Sequence, residues 1–169
     1  RLRFTLDNEM TNAVTPAFIE LYKKGFIYRD KRLVNWDISL QTAVSDLEVE
    51  QIEREGEFFY LKYFLEDKSE FLTVATTRPE TLFGDQCLAV NSHDERYKKF
   101  IGKKVFIPIT NELIPIISDE SVDQEKGSGV LKITPAHDFN DYKVGKKNNL
   151  KLKVVFDKYG KLNQNVPLK

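Results

Sequence analysis

Cysteine and histidine are nearly absent from these 169 residues: Cys87 stands alone, accompanied only by His93 and His137. A disulfide framework is excluded and no zinc-type ligand spacing exists, so no metal and no cofactor is expected. No apolar run approaches a membrane span. Arg1 opens no charged-then-apolar secretory leader and reads as the interior of a longer protein. These absences point to a reducing cytoplasm and no membrane partner. Glycine-rich dinucleotide or phosphate-binding loops are missing as well. Basic and acidic residues balance at 26 each, and a net charge of zero does not by itself point to nucleic acid.

What is present fits a single globular domain with an appendage. The hydrophobic fraction is 41% and the aromatic fraction 12%, ordinary values for a chain long enough to bury a real core. Nothing marks an oligomer, and a monomer is the expectation. The charge is unevenly spread. Eight lysines face the single acid Asp157 between Lys143 and Lys169, whereas six acids accompany Arg54 between Asp46 and Glu57. The lysines serve either as a phosphate-contacting face or as solvated residues that discourage edge pairing.

Periodicity divides the chain. Ala13, Val14, Ala17, Phe18, Leu21 and Tyr22 recur at helical spacing, and Gly25 sits where a helix stops. Its start is open: Thr15 before Pro16 makes an N-cap with proline in the first turn, and Thr11 offers an earlier cap. Beyond Gly25 the spacing shortens to that of strands, at Leu33–Trp36, from Leu47 (LEVEQIER), from Phe58 (FFYLKYFLE), from Phe71 (FLTVATT) and from Gln86 (QCLAV). Further strands are expected at Val105–Ile109, Leu113–Ile117, Val130–Ile133 and Val154–Phe156, with short helices at His93–Phe100 and Asn140–Asn148. EDKSE, at Glu66 to Glu70, suits a hairpin turn. The fold class is α+β, strand-dominated, and a barrel with short peripheral helices buries so many short strands without open edges.

Two segments concentrate chemistry. In GSGVLKITPAHDFND, Gly127 to Asp141, Lys132 and Thr134 alternate with apolar residues on a strand that Pro135 ends, beside His137, Asp138 and Asp141. Together these groups can hold an ammonium, a hydroxyl and a water. In ATTRPETLFGD, Ala75 to Asp85, Thr76 and Thr77 end a strand, Arg78 precedes Pro79, and ETLFG reads as one helical turn closed by Gly84. Hydroxyls and free amides at such a turn bind an anion, a hydroxyl or a positioned water, and Arg78 adds charge-assisted hydrogen bonds.

The two segments together resemble the editing domain of class I aminoacyl-tRNA synthetases, the insertion called connective peptide 1, and within that family the valyl type. KITPAHD combined with RPET carries the valyl likeness, and FTLDNEMTNAVTPAFIELYKKGFIYRDKRLVNWDISLQTAVSDLEVE is similar to the valyl lead-in. The resemblance implies that residues 1–50 are a helix and linking segment leading from the synthetase body and that residues 51–169 are the editing domain. The HIGH-type and KMSK-type signatures of the synthetic site are absent, so no amino-acid activation and no ATP consumption is expected of this segment. What the resemblance implies instead is hydrolysis of threonine wrongly attached to valine tRNA, with tRNA and the remainder of the synthetase as partners. Threonine and valine are nearly isosteric, and an apolar pocket rejects the added hydroxyl only about a hundredfold, a limit for which valyl enzymes are themselves the standard case. The alternative is a module that binds the tRNA acceptor end or threonyl-adenosine with little turnover.

By the family pattern Asp138, Lys132 and Thr134 take the catalytic positions, Asp138 by holding the substrate's α-ammonium. Arg78, Thr81 and Asp141 are implied to bind substrate, and the hydroxyls of Thr77 and Thr76 at the strand end are expected to bind it as well. Lys126 departs from the pattern, standing where relatives often carry an aromatic residue, and as a lysine able to contact phosphate it is expected to touch tRNA. Plainer roles stand beside these: Thr77 as a cap, Asp141 as a cap of the following helix, and Lys132 in a structural ion pair. A Ser128–His137 nucleophile is disfavoured, because neither a strained turn nor an independent orienting acid accompanies it. Trp36 reads as a packing anchor.

Overall fold

The computed structural model describes residues 4–167 and divides into two compact units, residues 1–32 and 33–169. The first carries α1, Asn8–Lys23. Its cap is neither threonine: the Asp7 carboxylate accepts the Met10 N–H at 2.7 Å, and Pro16 lies inside the helix. No residue of α1 is buried, and Val14, Phe18 and Tyr22 remain exposed.

The second unit opens with the hairpin of β1 (Asn35–Asp37) and β2 (Thr42–Val44). The Trp36 indole N–H donates to the Lys158 carbonyl at 2.9 Å. The strand expected from Leu47 does not form. Ser45 and Glu48 close a capping box, with the Ser45 N–H bound to the Glu48 carboxylate at 2.8 Å, and Leu47 is left 99% exposed. This reciprocal bond turns the chain locally, and an acid-studded stretch with no partner strand gains nothing by extending.

β3 (Phe59–Phe64) and β4 (Phe71–Thr76) form the expected antiparallel hairpin, paired from Phe59 with Thr76 to Phe64 with Phe71. A four-stranded sheet follows, built from β5 (Cys87–Val90), β6 (Lys104–Phe106), β7 (Leu113–Ser118) and β8 (Val130–Ile133) in the spatial order β6-β7-β5-β8. β5 runs parallel to β7 and antiparallel to β8, and all four of its residues are buried, as a central strand covered on both faces requires. Period-two alternation in β3 and β4 turns Tyr63, Leu72 and Val74 inward onto Leu88, Val90, Val105, Ile116 and Val130. Each such apolar side chain contributes about 1.5–3 kcal/mol by burial.

The architecture is strand-rich α+β with few helices, but the strands do not close into a barrel. The chain just past β3 meets β6 through a single bridge, Leu65 with Val105, extended by the Glu66 N–H to the Lys104 carbonyl at 3.0 Å. β4 lies near β8 without a ladder between them. The reason is the cleft: Ala75 and Thr76 from β4, and Val130 and Lys132 from β8, line an opening where a continuous ladder would run. Two smaller expectations also change. Only Lys98–Phe100 of the helix expected at His93–Phe100 is helical, as a 3-10 turn, and Val154–Phe156 makes one bridge, Phe156 with Leu162. α2 spans Phe139–Lys147.

Candidate active site

A cleft of about 890 Å3 opens beside the seam between β4 and β8. Thr76, Thr77, Arg78, Thr81, Lys126, Lys132, Thr134, Asp138 and Asp141 all line it, so every candidate side chain from both motifs meets there. Backbone events bring them together. β4 ends at Thr76, and Pro79–Gly84 folds as a 3-10 turn that buries Thr81. β8 ends at Ile133, and Pro135, which lacks an N–H, precludes a further ladder bond. The chain then turns through the His137 N–H to Thr134 carbonyl bond, at 3.0 Å, into α2. Arg78 ties the motifs together: its Nη1 donates to the His137 carbonyl at 2.8 Å, and its Nε pairs with Glu80 at 3.3 Å. Its own N–H donates to the Thr76 hydroxyl at 3.1 Å.

The cleft floor is a buried polar network. Lys132 Nζ donates to Thr81 Oγ1 at 2.6 Å, to Thr134 Oγ1 at 2.7 Å and to Asp85 Oδ1 at 3.0 Å. Three partners exhaust an ammonium group. Thr134 Oγ1 donates to Asp85 Oδ1 at 2.7 Å, and the Tyr63 hydroxyl donates to Asp85 Oδ2 at 2.6 Å. Lys132 thus forms a buried ion pair with Asp85 rather than with Asp138 or Asp141 of its own motif. Asp85 and Tyr63 were not among the site residues expected from the sequence. Asp85 stood in the quoted motif directly after Gly84, and Tyr63 occupied an inward position of β3, but nothing in sequence joins positions 22 residues apart. Burial pushes the Asp85 carboxyl up, opposed by the Lys132 charge and by bonds from Tyr63, Thr134 and Lys132. The Lys132 ammonium at 3.0 Å and the Thr134 and Tyr63 hydroxyls aimed at the Asp85 oxygens favour the ionised form, because each of these bonds is stronger to a carboxylate than to a neutral acid. Among the described residues no buried side-chain polar atom lacks a partner.

The two aspartates at the start of α2 differ. Asp138 is exposed and caps the helix, its Oδ1 accepting the N–H groups of Asn140 at 2.8 Å and Asp141 at 3.0 Å. Oδ2 takes no part in that cap. Asp141 is buried and accepts the Thr134 N–H through Oδ2 at 2.8 Å. Burial raises its carboxyl to about 6, with the neighbouring Asp138 and Asp85 charges adding to the rise and the Thr134 N–H and Lys132 opposing it. Between about 3.8 and 6 the folded protein therefore holds a proton that the unfolded chain releases. The stability contributed by neutral Asp141 is complete below that window and is lost as pH rises through it. Asp141→Asn is expected to remove this pH dependence and to exceed the parent in stability above pH 6, by on the order of 2 kcal/mol. Thermal unfolding of both proteins from pH 4 to 8 checks this; parallel curves across the window would refute it.

His137 is no catalyst in this arrangement. Its Nε2 accepts the Val155 N–H at 3.0 Å and its ring meets Phe156 edge-on, with centroids 4.8 Å apart. Burial, then the Arg78 and Lys132 charges, lower its pKa, which keeps the ring neutral and the acceptor lone pair in place. The Ser128 hydroxyl bonds the Val130 backbone instead of His137. Cys87 is buried with its thiol pushed up to about 12, far from a thiolate nucleophile at neutral pH. Among the described residues no group of three or more His, Cys, Asp or Glu side chains is arranged to hold a metal.

Close approach fixes one wall. A Cβ on Gly84 would meet Thr134 Cγ2 at 2.9 Å and the Lys153 carbonyl at 3.1 Å. Gly84→Ala is expected to displace Thr134 and cost about 1–3 kcal/mol, read as a lowered midpoint in urea. At the cleft mouth Lys126 is exposed, and its carbonyl accepts the Gly129 N–H at 3.1 Å in a tight turn.

The chain belongs to the class I tRNA synthetase family (I, L, M and V), whose model matches residues 1–159. Among curated relatives it is 53% identical to the valine–tRNA ligase of Pelagibacter ubique over 99% of this chain, and 55% identical to that of Bdellovibrio bacteriovorus over 98%. It spans only about a fifth of their length, 19% and 18% respectively. Among solved structures it is similar to Agrobacterium radiobacter K84 agnB2 LeuRS in a ternary LeuRS-tRNA-LeuAMS complex. The TM-score is 0.52 at 18% identity, covering 89% of this chain and 29% of that one. At that identity the likeness concerns the fold.

Proposed function

We propose that this chain is the editing domain of a valine–tRNA ligase and hydrolyses threonine wrongly esterified to valine tRNA. The observation that carries the proposal is the convergence of both motifs on one cleft whose acids, Asp138 and Asp141, stand beside buried hydroxyls. Residues 1–50 act as the lead-in from the synthetase body and 51–169 as the editing unit, within a cytoplasmic enzyme.

The ammonium of the aminoacyl group sits against Asp138, whose Oδ2 is outside the cap and whose negative charge suits a cation. Thr81 and Thr134 take the threonine hydroxyl, Thr76 and Thr77 line the approach, and Arg78 and Lys126 meet the terminal adenosine and its phosphate. A water held between these groups and the tRNA's terminal ribose hydroxyl attacks the ester carbonyl. The carbon–oxygen bond to the ribose breaks, the proton passes to the departing ribose oxygen, and free threonine and deacylated tRNA leave with no covalent enzyme intermediate. Asp141 holds the Thr134 backbone, and the saturated Lys132 holds the hydroxyls rather than the substrate.

Hydrolysis of threonyl-tRNA compared with valyl-tRNA tests this reading in the full-length protein. Selective loss of the threonyl ester is expected. Binding of the acceptor end without turnover would leave the alternative, a recognition module.

A further inference from the structure

We propose that Asp85 is a positioning residue that sets the hydrogen-bond polarity of the cleft, making it a reader of groups that donate a hydrogen. The inference deepens the editing reading and rests on it. Lys132 Nζ can only donate, and ionised Asp85 can only accept. Thr134 Oγ1 lies between them, 2.7 Å from each, so its hydrogen points to Asp85 and one of its lone pairs takes Lys132. Thr81 Oγ1 is held the same way: its partners are Lys132 Nζ at 2.6 Å and the Arg78 carbonyl, an acceptor, at 2.8 Å. Each hydroxyl has therefore committed its single hydrogen inside the protein and retains one lone pair.

Both residues line the cleft, so at these positions the wall offers acceptors alone. A threonyl hydroxyl, which brings a hydrogen, matches such a wall. An isosteric group that brings none leaves it unmatched. Asp85 itself is fixed from behind by Tyr63, whose hydroxyl donates to Oδ2 at 2.6 Å, and neither Asp85 nor Tyr63 is among the residues lining the cleft. Asp85 therefore acts through Thr134 and Lys132 rather than on the substrate.

The test uses the full-length protein and two tRNA esters, threonyl and 2-amino-3-fluorobutyryl, in which fluorine replaces the hydroxyl at similar size. The parent should cleave the threonyl ester with the higher kcat/KM. In Asp85→Ala the hydrogen of Thr134 is freed to rotate, and the threonyl-to-fluoro ratio is expected to fall at least 10-fold. Asp85→Asn, which keeps one acceptor oxygen, is expected to fall in between, by about threefold. Should the alanine variant not fold, the asparagine variant, checked by cooperative thermal unfolding, carries the measurement. Folded variants that keep the parental ratio, or that lose both esters by the same factor, would overturn the proposal, since a merely structural residue acts on both alike. A parent that cleaves neither ester would refute the editing reading instead.

Discussion

Asp138→Asn is expected to lower kcat/KM for threonyl-tRNA hydrolysis by about ten- to a hundredfold while leaving the midpoint of thermal unfolding nearly unchanged. The choice of asparagine follows from the geometry. Asp138 has two duties, capping α2 through Oδ1 and, in the proposed function, holding an ammonium. Asparagine caps a helix as well as aspartate does, whereas alanine costs about 1 kcal/mol at that position. The amide therefore keeps the cap and removes the charge. A charge-assisted contact made to an ammonium in a partly desolvated site contributes about 1.5–3 kcal/mol, of the order of one to two decades in rate. Asp138→Ala should lose the activity equally and the cap in addition. Full activity in either variant would remove Asp138 from the proposed site, and a lowered midpoint in Asp138→Asn would show that its charge serves the fold.

The largest effect on stability is expected at Lys132. Its ammonium and the Asp85 carboxylate form an ion pair at 3.0 Å with side chains only 7% and 0% exposed. Removing one partner of a buried pair leaves the other charge uncompensated, at a cost of about 3–5 kcal/mol. Lys132→Met should therefore destabilise strongly, although methionine fills much of the same volume. The double variant Lys132→Met with Asp85→Asn should recover most of the loss, because no unpaired charge remains. Urea unfolding of the parent, the two single variants and the double variant gives the coupling directly. Additive losses would mean that the pair is not coupled in the folded protein.

Much of this site was legible in the residues. Gly84 and Pro135 mark the ends of their segments, and all nine expected side chains reach one cleft because each motif couples a strand end to a turn. Hairpin β3–β4 was readable from aromatic and β-branched alternation around EDKSE, and β8 from the alternation that carries Lys132. Where local pattern misled, a competing bond explains it. Leu47 alternates like a strand residue, but the Ser45–Glu48 capping box turns the chain there. Thr15 and Thr11 look like caps, but Asp7 reaches the free amide of Met10 first and Pro16 is carried inside the helix. The barrel fails to close at β4 and β8 because the cleft occupies the seam.

By itself the sequence determined the strand-rich class, the two motifs, the family likeness and the candidate side chains, since propensity, turn chemistry and residue type act over a few neighbouring positions. Partnership was decided only in three dimensions. Lys132 had several acids within reach of imagination, and packing gave it Asp85, 47 residues away, with Tyr63 behind. Asp138 and Asp141, three positions apart, became an exposed helix cap and a buried carboxyl raised to about 6 because one faces solvent and the other the core. His137 gave its acceptor nitrogen to the Val155 backbone. Burial and hydrogen-bond saturation are properties of the packed interior, where the absence of water forces every polar group to find a protein partner.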